Sequence, residues 1–189
     1  FTFTEEKPSG TSRVLAGSGN DNVTIEGALT SWVSGGRGDD SITVTHGVKY
    51  DTQYDWSSGL FELYEAVATS RIYGGEGDDL ITVSDAHTSV IFGGAGSDAF
   101  AIAVTNLGNG STYTVADFTE EDTLVFHSTV ATSLDELEDF ASVQTVGGDV
   151  YIHLSEAPGR NCLILLRDAG DLGSFDSLAD LGSVYDLAI

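Results

Sequence analysis

One glycine-rich pattern recurs four times in the first part of the chain and limits what it can fold into. The copies read AGSGNDNVT from Ala16, GGRGDDSIT from Gly35, GGEGDDLIT from Gly74 and GGAGSDAFA from Gly93. Their starts are 19, 39 and 19 residues apart, so the longer interval is close to two periods. A fixed period of this size indicates a repeat architecture, in which each unit buries its apolar face only by stacking on its neighbours.

Each copy runs into a short segment in which apolar and polar residues alternate. The first apolar position recurs at intervals of 19, 19, 20 and 19 residues, in Val23, Ile42, Phe61, Ile81 and Phe100. Alternation with a period of two is typical of a strand that has one buried face. We therefore predict two short strands and two turns per period, with residues 54–62 as a third turn that has lost its glycines.

These patterns predict an all-β protein, a parallel β-roll or β-helix of about five turns of 19 residues. At ~4.8 Å per turn the roll would be roughly 24 Å long. We expect an N-terminal extension at 1–13, the roll at 14–110 and a capping and secretion region at 111–189. In that last region Ser133 is a good N-cap for a short helix, and GGDVYIHL and NCLILLRD read as antiparallel strands. A cap is needed because the unpaired strand at the end of a roll invites aggregation.

The glycines and acids of each copy favour an oxygen-only metal site. Gly-Gly-x-Gly requires positive φ or a close backbone approach, which glycine allows without strain. Such a turn directs backbone carbonyl oxygens to one side, and an acid at the sixth position adds a carboxylate. Six to eight hard oxygen ligands suit Ca²⁺, whereas zinc prefers the imidazole and thiolate groups that this pattern lacks.

The pattern GGxGxD followed by a hydrophobic residue resembles the nonapeptide of the RTX, or hemolysin-type calcium-binding, repeat family, over about residues 14–104. The resemblance implies that the second and fourth carbonyls and the sixth carboxylate bind Ca²⁺ between consecutive turns. The implied ligands are Gly17, Gly19, Asp21, Gly36, Gly38, Asp40, Gly75, Gly77, Asp79, Gly94, Gly96 and Asp98. We expect one ion between the first two copies, another between the last two, and doubtful sites beside the segment 54–62.

Two features depart from the usual family pattern or extend it. The segment YTVADFTEEDTLVFH resembles the stretch that closes RTX rolls, which would make Asp117 and Asp122 ligands of the last calcium row. Typical members carry calcium on both edges, but the other edge here has plain turns. His46 and His87 lie on that edge, and we expect both to be solvated rather than catalytic or metal-binding.

The charge of the chain excludes some partners. Thirty acidic residues against 7 basic ones leave a formal charge of −23, which repels nucleic acid and anionic membranes. No stretch is apolar enough for membrane insertion. The ending YDLAI resembles that of bacterial proteins exported by type I secretion, so we expect a secreted, extracellular module that engages the type I secretion apparatus.

Three functions follow from these features. The first is a calcium-binding module that folds outside the cell and supports secretion and stability of a larger protein. The alternative is a polysaccharide- or surface-binding module, for which the candidates are the aromatic residues Tyr50, Tyr54, Trp56, Phe61 and Tyr64. The third is an enzyme, but no nucleophile with a base at a usable spacing is recognisable. We therefore expect a non-catalytic module, whose parent protein could itself be an enzyme.

Overall fold

The fold is built almost entirely from strands. The computed structural model describes residues 2–6, 10–46, 50–55, 60–65, 68–103, 109–128, 131–157 and 160–189. Its strands are β1 (Thr2–Glu6), β2 (Thr11–Ser18), β3 (Asn22–Ala28), β4 (Thr30–Arg37), β5 (Ser41–His46), β6 (Tyr50–Asp55), β7 (Leu60–Glu65), β8 (Thr69–Glu76), β9 (Leu80–Ser84), β10 (Thr88–Ala95), β11 (Ala99–Ala103), β12 (Asn109–Val115), β13 (Thr123–His127), β14 (Ala141–Val146), β15 (Asp149–Ala157), β16 (Arg160–Leu166) and β17 (Asp186–Ala188). The helices are α1 (Leu134–Glu138) and α2 (Leu178–Leu181), with a 3-10 helix at Ala169–Leu172.

Two sheets face each other across a narrow core. Sheet A has the order β1-β3-β5-β9-β11-β13-β17, and all its neighbours are parallel. Sheet B has the order β14-β15-β16-β12-β10-β8-β4-β2 and is parallel from β16 to β2. Consecutive strands alternate between the sheets, so β2/β3, β4/β5, β8/β9, β10/β11 and β12/β13 each form one coil of a roll. The predicted parallel β-roll is confirmed.

The third coil is not the one that the sequence predicts. Strands β6 and β7 pair with each other in an antiparallel hairpin, in which Tyr54 lies opposite Phe61. Strand β4 pairs directly with β8, and β5 pairs directly with β9. The prediction that residues 54–62 form a turn of the roll is therefore wrong, because these residues belong to an insertion between the second and third coils. The side chains of the aromatic candidates on this insertion lie outside the described residues.

The core follows the predicted alternation. On sheet A the inward side chains come from the register that the sequence defines, namely Val23, Ile25, Ile42, Val44, Ile81, Val83, Phe100 and Ile102, all 0% exposed. On sheet B they are matched by Val33, Ile72 and Ile91. Near the second turn of each coil the sheet B positions are serines instead, and the buried Ser70 and Ser89 hydroxyls lie 2.7 Å apart in a hydrogen bond.

The C-terminal part closes the roll by extending both sheets. Strands β15 and β16 are antiparallel as predicted, and β14, which was not predicted, pairs antiparallel with β15. Strand β16 also pairs in parallel with β12, and β17 pairs with β13. Ser133 caps α1 as expected, since its hydroxyl accepts a hydrogen bond from the Glu136 amide. Cys162 is a buried strand residue on β16. No helix in the described ranges is long and apolar enough to cross a membrane.

Candidate functional site

The four glycine-rich turns lie on top of one another at one edge of the roll. In the strand register Gly17 pairs with Gly36, Gly36 with Gly75, and Gly75 with Gly94. We call this edge, formed by residues 16–21, 35–40, 74–79 and 93–98, the acidic turn edge. All twelve predicted ligands of the four copies therefore come together in one continuous stack, with no degenerate turn inside it.

The glycines are required by the spacing between coils. At the second position Gly36, Gly75 and Gly94 have φ of +120°, +133° and +107°, and a Cβ on any of them would overlap the second-position carbonyl oxygen of the preceding coil. The fourth position is similar, because a Cβ on Gly77 would lie 2.6 Å from the Gly38 carbonyl oxygen. The carbonyls that we predicted as ligands therefore point along the roll axis toward the next coil.

The sixth-position aspartates form a ladder that runs through four contacts between coils. The Oδ1 of Asp40 accepts the Asp21 amide at 2.8 Å, and the Oδ1 of Asp79 accepts the Asp40 amide at 2.8 Å. The Asp79 and Asp98 amides then donate to Oδ1 of Asp98 at 2.9 Å and of Asp122 at 2.8 Å. Each of these carboxylates thus accepts a hydrogen bond from the preceding coil, which fixes the position of one of its two oxygens.

The other oxygen of three of these carboxylates has no donor. Oδ2 of Asp40, Asp79 and Asp98 is buried without a hydrogen-bond partner among the described residues. Each lies against the first glycine of its own turn, where a Cβ would overlap it. A Cβ on Gly74 would also lie 2.5 Å from the Gly93 carbonyl oxygen, so a carbonyl of the next coil approaches the same space. A buried carboxylate oxygen without a donor is costly unless a cation or a proton satisfies it.

The pKa values of the ladder carboxylates reflect the cost of burying their charge. The pKa of Asp79 is raised to about 7, mainly by burial and also by the neighbouring Asp98 and Asp40 carboxylates, while the hydrogen bond from the Asp40 amide lowers it. Burial likewise raises the pKa of Asp98 to about 6 and raises that of Asp40 above its usual range. The ladder therefore holds acids that lose their protons reluctantly while no cation is present.

A second ladder of hydrogen bonds, formed by exposed side chains, runs beside the first. Its direction is reversed, because in the first ladder each carboxylate accepts an amide of the preceding coil. The fifth-position residues Asn20, Asp39 and Asp78 accept, through Oδ1, the amide of the same position in the following coil. These side chains are exposed and line a groove of about 490 Å³ together with the sixth-position residues. Sequence reasoning did not assign the fifth position a role, although its polar residues repeat in all four copies. The fifth position orders the turn without burying its charge.

Asp117 and Asp122 take different places from the repeat aspartates. Asp117 accepts the amides of Gly93 and Gly94 at 2.9 and 3.0 Å, one with each oxygen. Asp122 continues the ladder through Oδ1, but its Oδ2 accepts both the amide and the hydroxyl of Thr119, at 2.8 and 3.1 Å. Both carboxylates are thus satisfied by the chain itself, and both close the last repeat turn.

The donor set fits a hard cation and requires backbone ligands. No group of three or more His, Cys, Asp or Glu side chains converges within the described ranges, so carbonyl oxygens would have to complete any cation site there. The acidic turn edge offers such carbonyls beside the unsatisfied Oδ2 atoms of Asp40, Asp79 and Asp98. Carboxylate and carbonyl oxygens are the ligands that Ca²⁺ prefers. The first-position carbonyls of Gly74 and Gly93 were not predicted, because their approach depends on the spacing between coils.

At the opposite edge of the roll we expected solvated histidines, but His46 is buried there. His46 is 3% exposed, and its Nδ1 lies 2.8 Å from the Ala28 carbonyl oxygen, so the prediction that it is solvated is wrong. Burial lowers the pKa of His46. His87 is half-buried.

Comparison with known proteins gives a weak likeness among solved structures. No family model matches the chain, and no curated protein matches it significantly. Among solved structures, the extracellular lipase LipA from Serratia marcescens matches with a TM-score of 0.32 and 13% sequence identity. The match covers 88% of this chain and 37% of the lipase chain, so this chain spans little more than a third of that protein's length.

Proposed function

We propose that this chain is a calcium-binding β-roll module of the RTX type, which folds when Ca²⁺ fills the acidic turn edge. The observation that carries the proposal is the row of buried, donor-free Oδ2 atoms on Asp40, Asp79 and Asp98. Three successive carboxylates in the same unsatisfied state indicate a property of the repeat rather than a local defect. A bound calcium ion would supply the positive charge that these oxygens lack.

The stack supports a longer row of ions than the sequence suggested. Because β4 pairs with β8, the second and third copies are neighbours, and the site between them needs no degenerate turn. We therefore propose three consecutive sites, between Asp21 and Asp40, between Asp40 and Asp79, and between Asp79 and Asp98. Asp117 and Asp122 would position the last turn rather than hold an ion, since their oxygens already accept hydrogen bonds.

The energetics make folding conditional on calcium. Without a cation, the stacked carboxylates repel one another within a chain of net charge −23, and compaction is opposed. Extracellular calcium modules usually bind at ~10⁻⁴–10⁻³ M, so millimolar Ca²⁺ begins to fill such sites. Binding to the folded form alone stabilises it by about 1.4 kcal/mol per site at tenfold excess over Kd. Three coupled sites would move a marginal roll from unfolded to folded.

This conditional folding suits a secreted protein. Free Ca²⁺ is scarce inside cells, where the chain would stay unfolded enough for export through the type I secretion apparatus. The acidic composition supports that route. We propose that the chain serves as a non-catalytic module of a larger extracellular bacterial protein, since the role requires no catalytic residue.

The test is far-UV circular dichroism during a calcium titration after exhaustive chelation, with magnesium as the control cation. We expect a cooperative gain of β signal with Ca²⁺ alone. Asp79→Ala should weaken the response, whereas Asp78→Ala, which removes an adjacent but exposed carboxylate, should change it much less. A chain that is fully folded in chelator and indifferent to Ca²⁺ would contradict the proposal.

A further inference from the structure

The outward face of sheet B has a composition unlike the rest of the molecule. It consists of three parallel rows that cross β2, β4, β8, β10 and β12 in register. The rows are Thr11, Thr30, Thr69, Thr88 and Thr112; Arg13, Trp32, Arg71, Val90 and Thr114; and Leu15, Ser34, Tyr73, Phe92 and Ala116. We call these residues the arginine–aromatic face. None of them is acidic, although the chain carries 30 acidic residues against 7 basic ones.

Its two arginines are available to a ligand. Arg13 and Arg71 are exposed, and no carboxylate within the described ranges forms an ion pair with either. By contrast, Arg37 at the acidic turn edge pairs with Glu76 at 3.4 Å, and Arg167 pairs with Asp149 at 3.5 Å. Arg13 and Arg71 occupy the same row two strands apart, which places their Cα atoms about 10 Å from each other. The face therefore presents two guanidinium groups without a carboxylate partner in the described ranges, on a surface that is otherwise strongly negative.

The aromatic rings hold this face in shape. The Tyr73 and Phe92 rings stack with centroids 4.8 Å apart and planes 6° from parallel, and Trp32 packs against Tyr73 at 5.9 Å. The Arg13 guanidinium lies over the Trp32 ring, 4.7 Å from its centroid. Because these ring faces are used against one another and against Arg13, they order the surface rather than offer free stacking platforms. Recognition by this face must therefore depend mainly on its guanidinium and hydroxyl groups.

The threonine row adds regularly spaced hydroxyls. Its members are register partners on adjacent strands, so one hydroxyl follows another about every 4.8 Å along the roll axis. A regular row of donors and acceptors beside fixed positive charges matches a polymer with repeated hydroxyl groups and repeated negative charges.

We propose that the arginine–aromatic face binds a carboxylated polysaccharide that lies along the roll axis. Arg13 and Arg71 would hold carboxylates of the sugar chain through their planar guanidinium forks, and the threonine hydroxyls would bond to the sugar hydroxyls. Repulsion from the acidic remainder of the surface would confine the polymer to this face. The proposal needs the folded roll and so rests on the proposed function, but no ion takes part in the contact with the sugar chain.

The test is a binding titration of the full chain with a galacturonate oligosaccharide, followed by calorimetry. Free calcium is held constant, because galacturonate itself binds the ion, and the fully methyl-esterified oligosaccharide serves as the uncharged probe. We expect the acid form to bind and the ester not to bind. Arg71→Gln and Arg13→Gln should each weaken binding roughly tenfold, the loss of one charge-assisted contact. Arg37→Gln removes the same charge at the acidic turn edge and should leave binding almost unchanged.

Each of four results would overturn the proposal. They are no binding by the native chain, equal binding of acid and ester, an equal loss in Arg37→Gln, and a loss in Trp56→Ala that Arg71→Gln does not share. The last result would place recognition on the aromatic candidates around Trp56 that the sequence suggests. A native chain that ignores the oligosaccharide but forms dimers that Arg71→Gln dissociates would make the face a protein interface instead. Circular dichroism in calcium confirms that each variant is folded.

Discussion

The repeat coils and the fifth coil put an aspartate at the same place and satisfy it differently. In the third coil, Asp79 uses one oxygen to accept the Asp40 amide and leaves the other buried without a donor. In the fifth coil, Asp122 accepts the Asp98 amide in the same way, but Thr119 occupies its second oxygen. The repeat coils therefore depend on something outside the chain, whereas the coil that closes them is complete.

The same contrast holds for the turn backbone. The repeat coils need glycine because each turn lies directly against the carbonyls of the coil before it. In the fifth coil Asp117 and Phe118 stand where the register would continue with glycines, and the Asp117 carboxylate caps the amides of Gly93 and Gly94. Phe118 is buried against Phe100, with ring centroids 5.8 Å apart. The turn of the fifth coil is not followed by another glycine-rich repeat turn. It can therefore hold larger side chains.

The largest effect is expected from Gly75→Ala. Residue 75 has φ +133°, and the added Cβ would overlap the Gly36 carbonyl oxygen. Gly17→Ala is the matched control, because Gly17 has φ +114° but no atom within 4 Å of such a Cβ. Left-handed strain costs about 1–2 kcal/mol at either site, and overpacking adds about 1–3 kcal/mol at Gly75. Urea unfolding in calcium measures both; equal losses would mean that close approach does not require the glycine.

The next-largest effect is expected when Asp79 and Asp122 are each replaced by Asn. The two substitutions should change the stability of the chain in different ways. Asp79→Asn keeps an oxygen for the Asp40 amide and places an NH₂ group near the Gly93 carbonyl, so it should stabilise the chain in chelator. In excess calcium the same variant should lose roughly 1.4 kcal/mol, the stabilisation of one site at tenfold excess. Thermal unfolding with and without Ca²⁺ measures this change of sign.

Asp122→Asn should lack that change of sign. Both Asp122 oxygens accept hydrogen bonds, and an amide provides only one acceptor, so a donor from Asp98 or Thr119 is left facing NH₂. We expect a loss of about 1–3 kcal/mol in chelator and in calcium alike. If Asp122→Asn instead stabilised the chain in chelator, the distinction between the repeat coils and the closing coil would fail.

A smaller effect concerns pH. The pKa of Asp79 is raised to about 7 and that of Asp98 to about 6. Because the folded state holds these protons more tightly than the unfolded state, their contribution is present at low pH and is lost as pH rises through these values. In chelator, the unfolding temperature should therefore fall between about pH 5 and pH 8. Asp79→Asn should flatten that slope, and an unchanged slope would exclude Asp79 as its source.

Excess calcium should remove the pH dependence. Ions bind the deprotonated carboxylates, so protons compete with Ca²⁺ for the same oxygens. Because the carboxylates are deprotonated above about pH 5 both in the unfolded chain and in the calcium-loaded roll, the unfolding temperature in excess Ca²⁺ should stay nearly constant over the same range. A slope in excess calcium as steep as the slope in chelator would argue that the raised carboxylates are not the ligands.

The smallest effect is expected from removing the inserted hairpin. Deleting residues 50–65 leaves residues 47–49 and 66–68 to join β5 to β8, and both strands keep their partners in the roll. We expect nearly unchanged calcium dependence and a slight change in unfolding temperature. A chain that loses its calcium response on this deletion would show that the insertion supports the second and third coils.

Much of the roll was predictable because its information is local and repeated. The positions of Val23, Ile42, Ile81 and Phe100 follow from a 19-residue period with alternation, and each is fully buried. The stacked turns follow from glycines at fixed offsets. Phe61 fits the same period and alternation and yet belongs to a hairpin, because a period of two describes a strand without specifying its partner.

The sequence by itself determined that the chain forms a parallel roll and that glycines and aspartates share one edge, because spacing and residue type suffice for both. The tertiary structure decided which coils are neighbours, which carboxylate oxygens of the described residues lack a donor and where Arg13 and Arg71 come together. Those properties depend on contacts across 19 to 39 residues, such as the Asp40 amide with the Asp79 carboxylate. Such contacts are set by which strands pair within each sheet, and a local sequence pattern does not specify that pairing.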